Sequence, residues 1–174
     1  MNEVWQDKIP PQDIEAEQAV LGAIFLDSDT LIDAMEIVTP RSFYRRSHQI
    51  IFQSMIQLSN RGEAIDLVTL KAEIEKSNAL EDIGGISYLS ELSQSTPSSA
   101  SVSYYAKIVD DKSLLRQLIQ TANQIVVKSF EQGEEVQAIV DEAERSILEV
   151  SEKRNSTGFQ SIADVLNQSI ETID

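Results

Sequence analysis

From Val102 to Phe130 apolar side chains recur at three- and four-residue spacing, at Tyr105, Ile108, Val109, Leu115, Leu118, Ile119, Ala122, Ile125, Val126 and Phe130, with no Gly or Pro among them. That period puts side chains on one face of an α-helix, and the β-branched triplet 125–127 does not interrupt it. At 1.5 Å per residue the stretch is a rod of roughly 45 Å. The segment EQGEE, centred on Gly133, breaks the rod. Beyond it Val136, Ile139, Val140, Ala143, Ile147 and Val150 form a second stripe. Two amphipathic helices joined by so short a turn favour an antiparallel hairpin.

Upstream, the same period is divided into shorter pieces. Asp13 stands where it can cap a helix that turns Ile14, Val20, Leu21, Ile24 and Phe25 inward, and Glu15 and Glu17 fall in the first turn, where the helix dipole favours acids. Ser28 is a candidate cap for a helix carrying Leu31, Ile32, Met35 and Val38, which ends at Thr39-Pro40. Ser47 is a candidate cap for the next, with Ile50, Ile51, Met55 and Leu58 inward and Gly62 just past its end. Another starts from Asp66. After Gly84-Gly85, a short one uses Ile86, Leu89 and Leu92. The stretch SQSTPSSASVS, small and polar around Pro97, reads as a boundary between packed units.

No alternating apolar run suggests a strand, and no fixed-period repeat is present. The expected fold is all-α: an N-terminal lead at 1–12, a globular helical head at 13–96, the hairpin at 97–152, a tether at 153–158 and a detached C-terminal helix at 159–174. That last helix carries Phe159, Ile162, Val165, Leu166, Ile170 and Ile173 on one face. Alone in water a helix of about 15 residues is marginal, since each ordered residue loses ~1–2 kcal/mol of backbone entropy. It needs a surface to lie on.

Composition narrows the function. Against 14 basic residues stand 29 acidic ones, a formal net charge of −15, which argues against gripping a phosphate backbone by bulk charge and favours a basic or neutral protein partner. With no cysteine, disulfides and thiolate metal sites are excluded, and the chain is compatible with a reducing cytoplasm, where we expect it as a soluble protein. No window reaches the length of a membrane span, and the first residues do not form a signal peptide.

The chemistry of catalysis is thin. None of the six glycines is followed at the required spacing by the second glycine and lysine of a phosphate loop. The one histidine, His48, lies in a first helical turn without the partners of a nucleophilic triad, and we read it as structural or solvated. A zinc site would need several converging ligands. The pairs Asp110-Asp111, Glu134-Glu135 and Asp141-Glu142 fall on outward helix faces, where solvation is the commoner explanation. We therefore expect no catalytic, cofactor or metal site. Arg41, Arg45 and Arg46 are the one tight basic cluster; a solvated cluster is the plainer reading, and a nucleic-acid contact the sharper one. Trp5, Phe43 and Tyr44 are read as anchors of the fold.

The hairpin offers more. Ile125, Val126 and Val127, at 100° per residue, cover about 200° of the helix, wider than one seam needs. Leu118-Ile119 widens the stripe similarly. Such surplus marks a second contact, with another subunit or a partner protein; the alternative is a hairpin folded back on its own head.

Six stretches in order, EAEQAVLGAIFLD, SFYRRSHQIIF, IDLVTL, GGISYLSEL, YYAKIVDDKSLLRQLI and DEAERSIL, resemble the amino-terminal region of bacterial replicative DNA helicases of the DnaB type, from Pro10 onward. Ser42, Ala64 and Ser101 depart from residues frequent in that family. The resemblance implies a non-catalytic head and hairpin that assemble as three dimers into a collar on a hexameric ring. It implies that a RecA-like motor, which uses ATP and Mg and makes most of the contact with DNA, accompanies this region. By the same resemblance the helix at 159–174 is a linker helix docking on the motor of the adjacent subunit, primase binds the collar, and loaders engage the ring. Matching residue by residue, Glu15, Tyr88, Ile119 and Ile125 are candidates for the primase-facing surface. Two readings from the residues stay open beside this one: a nucleic-acid-binding helical domain using Arg41, Arg45 and Arg46, and a self-associating scaffold unrelated to replication.

Overall fold

Asp13 does what its position predicts: its Oδ1 accepts the Ala16 amide at 2.9 Å and starts α1, Ile14–Leu26. The computed structural model describes residues 8–153. In chain order the helices that follow are α2 (Thr30–Met35), α3 (Arg46–Asn60), α4 (Leu67–Glu75), α5 (Gly85–Ser93) and α6 (Val102–Glu131), with a 3-10 turn at Pro40–Ser42. A further helix, α7, runs over 136–153. The fold is all-α, and no strand occurs among the described residues. The C-terminal segment 159–174 and Trp5 lie outside the described residues.

Two units are formed, divided between Ser113 and Leu114. In the first, Val20, Leu21 and Ile24 of α1, Ile51, Phe52, Met55 and Leu58 of α3, Leu70 and Ile74 of α4, and Leu89 and Leu92 of α5 bury a shared core. Val102, Ala106 and Val109, the inward face of the start of α6, complete it. The sequence reading ends the head at 96; the first compact unit takes in the start of α6 as far as Ser113, because that helix begins with an apolar face at the same period. The polar stretch before it is no gap either: Thr96 is buried, and Ser95 Oγ donates to Gln18 O at 3.0 Å.

Caps explain some of the helix ends. Asp66 accepts the Thr69 amide at 2.9 Å while Thr69 Oγ1 accepts the Asp66 amide at 2.9 Å, a reciprocal box opening α4. At the end of α3, Gly62 takes φ +70 and the Glu63 amide reaches back to Leu58 O at 2.9 Å. Two predicted caps are corrected. Ser28 does not cap α2; the turn is held by Asp27, whose Oδ1 accepts the Asp29 amide and whose carbonyl accepts Thr30 Oγ1. Nor does Ser47 cap α3, which starts one residue earlier, at Arg46. Two predicted core residues of α2, Ile32 and Met35, are exposed, Ile32 by 64%. A helix of only six residues turns Leu31 and Ala34 inward and has no second face to bury. Ile86, in the first turn of α5, is likewise exposed while Leu89 and Leu92 go inside.

α1 and α5 approach closely at Gly22. A Cβ built there would lie 2.3 Å from Ser95 Oγ and 2.9 Å from the Leu92 carbonyl oxygen, so the contact requires glycine's bare backbone.

In the second unit, α6 from Leu114 onward and α7 form an antiparallel hairpin. Lys128 Nζ donates to Glu142 Oε1, and Ile125, Ile139 and Ala143 line the same narrow cleft between the two helices. The left-handed residue of the turn is Gln132, at φ 52, beside Gly133.

Candidate functional site

Glu17 sits at the inward position of α1 with Val20, Leu21 and Ile24, and is only 1% exposed. A carboxylate there must find donors, since an unpaired buried charge is costly. They come from the start of α3. Glu17 Oε2 accepts the Tyr44 amide at 2.8 Å, and Oε1 accepts the Arg45 amide at 3.4 Å and faces His48 Nδ1 at 2.7 Å. The carboxylate thus fixes the chain that leads into α3, whose own cap position, Arg45, makes no side-chain bond to the first turn. It also lies at the positive end of the α3 dipole.

His48, fully buried, has its other nitrogen, Nε2, 2.5 Å from the Tyr88 hydroxyl, and the two rings lie nearly parallel. Gln18 Nε2 donates to the same hydroxyl at 3.2 Å. The structural reading of His48 therefore holds, within a relay of three side chains from α1, α3 and α5. Periodicity offered one signal for it. Glu17 shares a stripe with 20, 21 and 24, and His48 with 51, 52 and 55: a polar group at the core spacing of each helix.

Two of the four candidate primase-facing residues belong to this unit. Tyr88 is half-buried; Glu15 is exposed, three residues before Gln18 and so on the same side of α1. Gln18, bonded to Tyr88, joins the two into one face. The other two lie on the hairpin unit. Ile119 is exposed, whereas Ile125 is half-buried in the cleft with Ile139 and Ala143. Around them the surplus apolar surface is real: Leu115, Leu118, Val126, Val127 and Phe130 on α6 and Val136, Val140, Ile147 and Leu148 on α7 are all exposed, Phe130 by 70%. Mutual hydrogen bonding raises the Lys128 pKa and lowers that of Glu142, so the bond between the helices is a full ion pair at neutral pH.

Arg41, Arg45 and Arg46 are exposed and make no ion pair among the described residues. A different arginine is the engaged one. Arg61 donates to Glu63 and to Glu73, whose carboxylate is nearly buried, and Lys76 adds a bond at 3.1 Å. Its bonds to Arg61 first, then to Lys76, hold Glu73 down at about 2. Among the described residues no group of three or more His, Asp or Glu is placed to hold a metal ion, and no helix is long and apolar enough to cross a membrane. Phe159, Ile162, Val165, Leu166, Ile170 and Ile173 lie outside the described residues.

A helical head built around a buried carboxylate-imidazole-phenol relay, followed by a hairpin with exposed apolar side chains on both arms, defines the class: an all-α head-and-hairpin domain. The comparisons make it specific. The model of the DnaB-like helicase N-terminal domain matches residues 9–111. Over all 174 residues the chain is 49% identical to the replicative DNA helicase DnaB of Geobacillus stearothermophilus, covering 100% of this chain and 38% of that one. The crystal structure of the N-terminal domain of DnaB helicase from Mycobacterium tuberculosis superposes with a TM-score of 0.78 at 38% identity, over 81% of this chain and 99% of that one. A DnaB-like replicative helicase whose structure was described together with its interactions with primase gives a TM-score of 0.65 at 25% identity, over 87% of this chain and 35% of that one. This chain belongs to the DnaB-like helicase N-terminal domain family. It spans 38% of the length of the replicative helicase it matches along its whole sequence.

Proposed function

We propose that this chain is the non-catalytic assembly and primase-docking part of a replicative DNA helicase that unwinds DNA at the replication fork in the cytoplasm. The observation that carries the reading is the flank of the hairpin, where large apolar side chains of both α6 and α7 stand in water. So many large apolar side chains exposed on two paired helices mark a site of protein association. Copies of this hairpin pair into dimers, three dimers form the collar of a hexamer, and primase docks on faces that include Glu15, Tyr88, Ile119 and Ile125. The segment 159–174 acts as the linker helix on a neighbouring subunit's motor. ATP, Mg and most DNA contact belong to that motor. A primase interaction described for one structural relative supports the choice of partner.

The test is the mass of the chain in solution over a range of concentrations, with and without the cognate primase. A mass above one chain that rises with concentration, and a further complex with primase, is the expected result. One chain at every concentration, unchanged by primase, overturns the reading; so does robust ATP hydrolysis by this chain alone.

A further inference from the structure

The relay of Glu17, His48 and Tyr88 fixes more than packing. Glu17 receives two backbone amides from Tyr44 and Arg45, which have only hydrogens to offer, and it sits at the N-terminus of α3, where a negative charge is favoured. A carboxylate so held is an acceptor only. The nitrogen facing it, His48 Nδ1 at 2.7 Å, must then carry the ring proton. In the neutral ring that leaves Nε2 with a lone pair aimed at the Tyr88 oxygen, 2.5 Å away, so the phenol hydrogen points inward to it. Gln18 Nε2 fills one of the two lone pairs on that oxygen. One lone pair remains, and no hydrogen.

We propose that Glu17 and His48 are positioning residues that lock the Tyr88 hydroxyl as a hydrogen-bond acceptor, so that the face it shares with Glu15 selects a donor group on the docking partner. The partner chemistry is an Arg, Lys or side-chain amide of the primase; this identity rests on the function proposed above, while the lock itself does not. Charge agrees with it. Glu15 offers a second, ionic acceptor one turn from Gln18, and the chain as a whole is acidic by 15 charges, so a cationic donor is both matched and attracted. A phenol free to rotate would accept or donate equally and would discriminate nothing.

His48 is the one histidine in the chain, so nitrogen-15 labelling of histidine gives an unambiguous NMR reading of its ring. In the full chain at neutral pH we expect the proton on Nδ1 and a pyridine-type Nε2. Glu17→Gln keeps an oxygen for the Tyr44 amide, the shorter of the two backbone bonds at 2.8 Å, and turns an NH2 toward Nδ1 with loss of the Arg45 bond at 3.4 Å; the ring proton moves to Nε2, and the Tyr88 hydrogen is forced outward. Tyr88→Phe leaves the proton on Nδ1, because Glu17 sets it. Titrated with the cognate primase, each variant should bind roughly tenfold more weakly than wild type, the size of one lost hydrogen bond to a charged group. Far-UV circular dichroism confirms the fold of each. If Glu17→Gln fails to fold, the wild-type nitrogen signals and Tyr88→Phe carry the test.

A wild-type ring protonated on Nε2, or on both nitrogens, overturns the lock. Wild-type affinity in Tyr88→Phe overturns its role in recognition. A wild-type chain that ignores primase overturns the functional reading and the donor assignment with it, and in that case the nitrogen signals still decide the lock.

Discussion

Replacing Gly22 by alanine puts two opposing effects of known size on one atom. On an exposed helix the change stabilises by about 1 kcal/mol, since alanine loses less backbone freedom. In α1 the new Cβ would meet Ser95 Oγ at 2.3 Å, Leu92 O at 2.9 Å and Thr96 Cγ2 at 3.1 Å. The serine hydroxyl can swing away, but only by giving up the hydrogen it shares between Leu92 O at 2.7 Å and Gln18 O at 3.0 Å, a loss of about 0.5–1.5 kcal/mol. The Leu92 carbonyl is backbone and cannot rotate aside, so α1 and α5 must part by some tenths of an ångström, at roughly 1–3 kcal/mol for an overpacked contact. Setting these against the helix gain leaves a net destabilisation of about 0.5–3.5 kcal/mol. Urea unfolding followed by circular dichroism, at one fixed protein concentration, measures it. A double variant with Ser95→Gly removes the nearest clash but not the carbonyl, and should recover only part of the loss. A Gly22→Ala chain more stable than wild type would show that the two helices do not meet as described.

Glu73 makes stability depend on acid. Its folded carboxyl lies at about 2 against the ordinary 4.5, so its contribution is complete above 4.5 and disappears as the pH falls toward 2; Glu73→Gln should flatten the stability profile in that window, and an unchanged profile would remove Arg61 and Lys76 as its partners. On the hairpin, Ile119→Asp should keep the helices and weaken primase binding, because Ile119 is already in water. Ile125→Asp should weaken the hairpin itself by about 2 kcal/mol or more, since it puts a charge in the cleft with Ile139 and Ala143. Equal thermal stability of the two variants would contradict that difference.

What could be read from the sequence was what depends on neighbours within a turn or two. The long helix appeared within a residue of its predicted end because 29 consecutive residues without Gly or Pro leave nothing else to form. Asp13 and Asp66 were found as caps because each bonds three residues ahead. Ser47 failed as a cap because the helix already begins at Arg46, after a turn held by Glu17, which is far away in sequence and brought there by packing. Ile32 and Met35 failed as core because periodicity names a face without saying what covers it. The relay was missed for both reasons: its links join residues 31 and 40 positions apart. Its trace was the polar group at a core position in α1 and again in α3.

The seamless run of α6 sets how the molecule can be divided. Its first turns are part of the head's interior and its later turns are one arm of the hairpin, yet no loop lies between them. Proteases and inserted tags favour exposed, irregular chain. Lys107, Lys112, Arg116 and Lys128 are therefore poor places for trypsin to cut while the protein is folded, and head and hairpin should travel through purification and digestion as one piece.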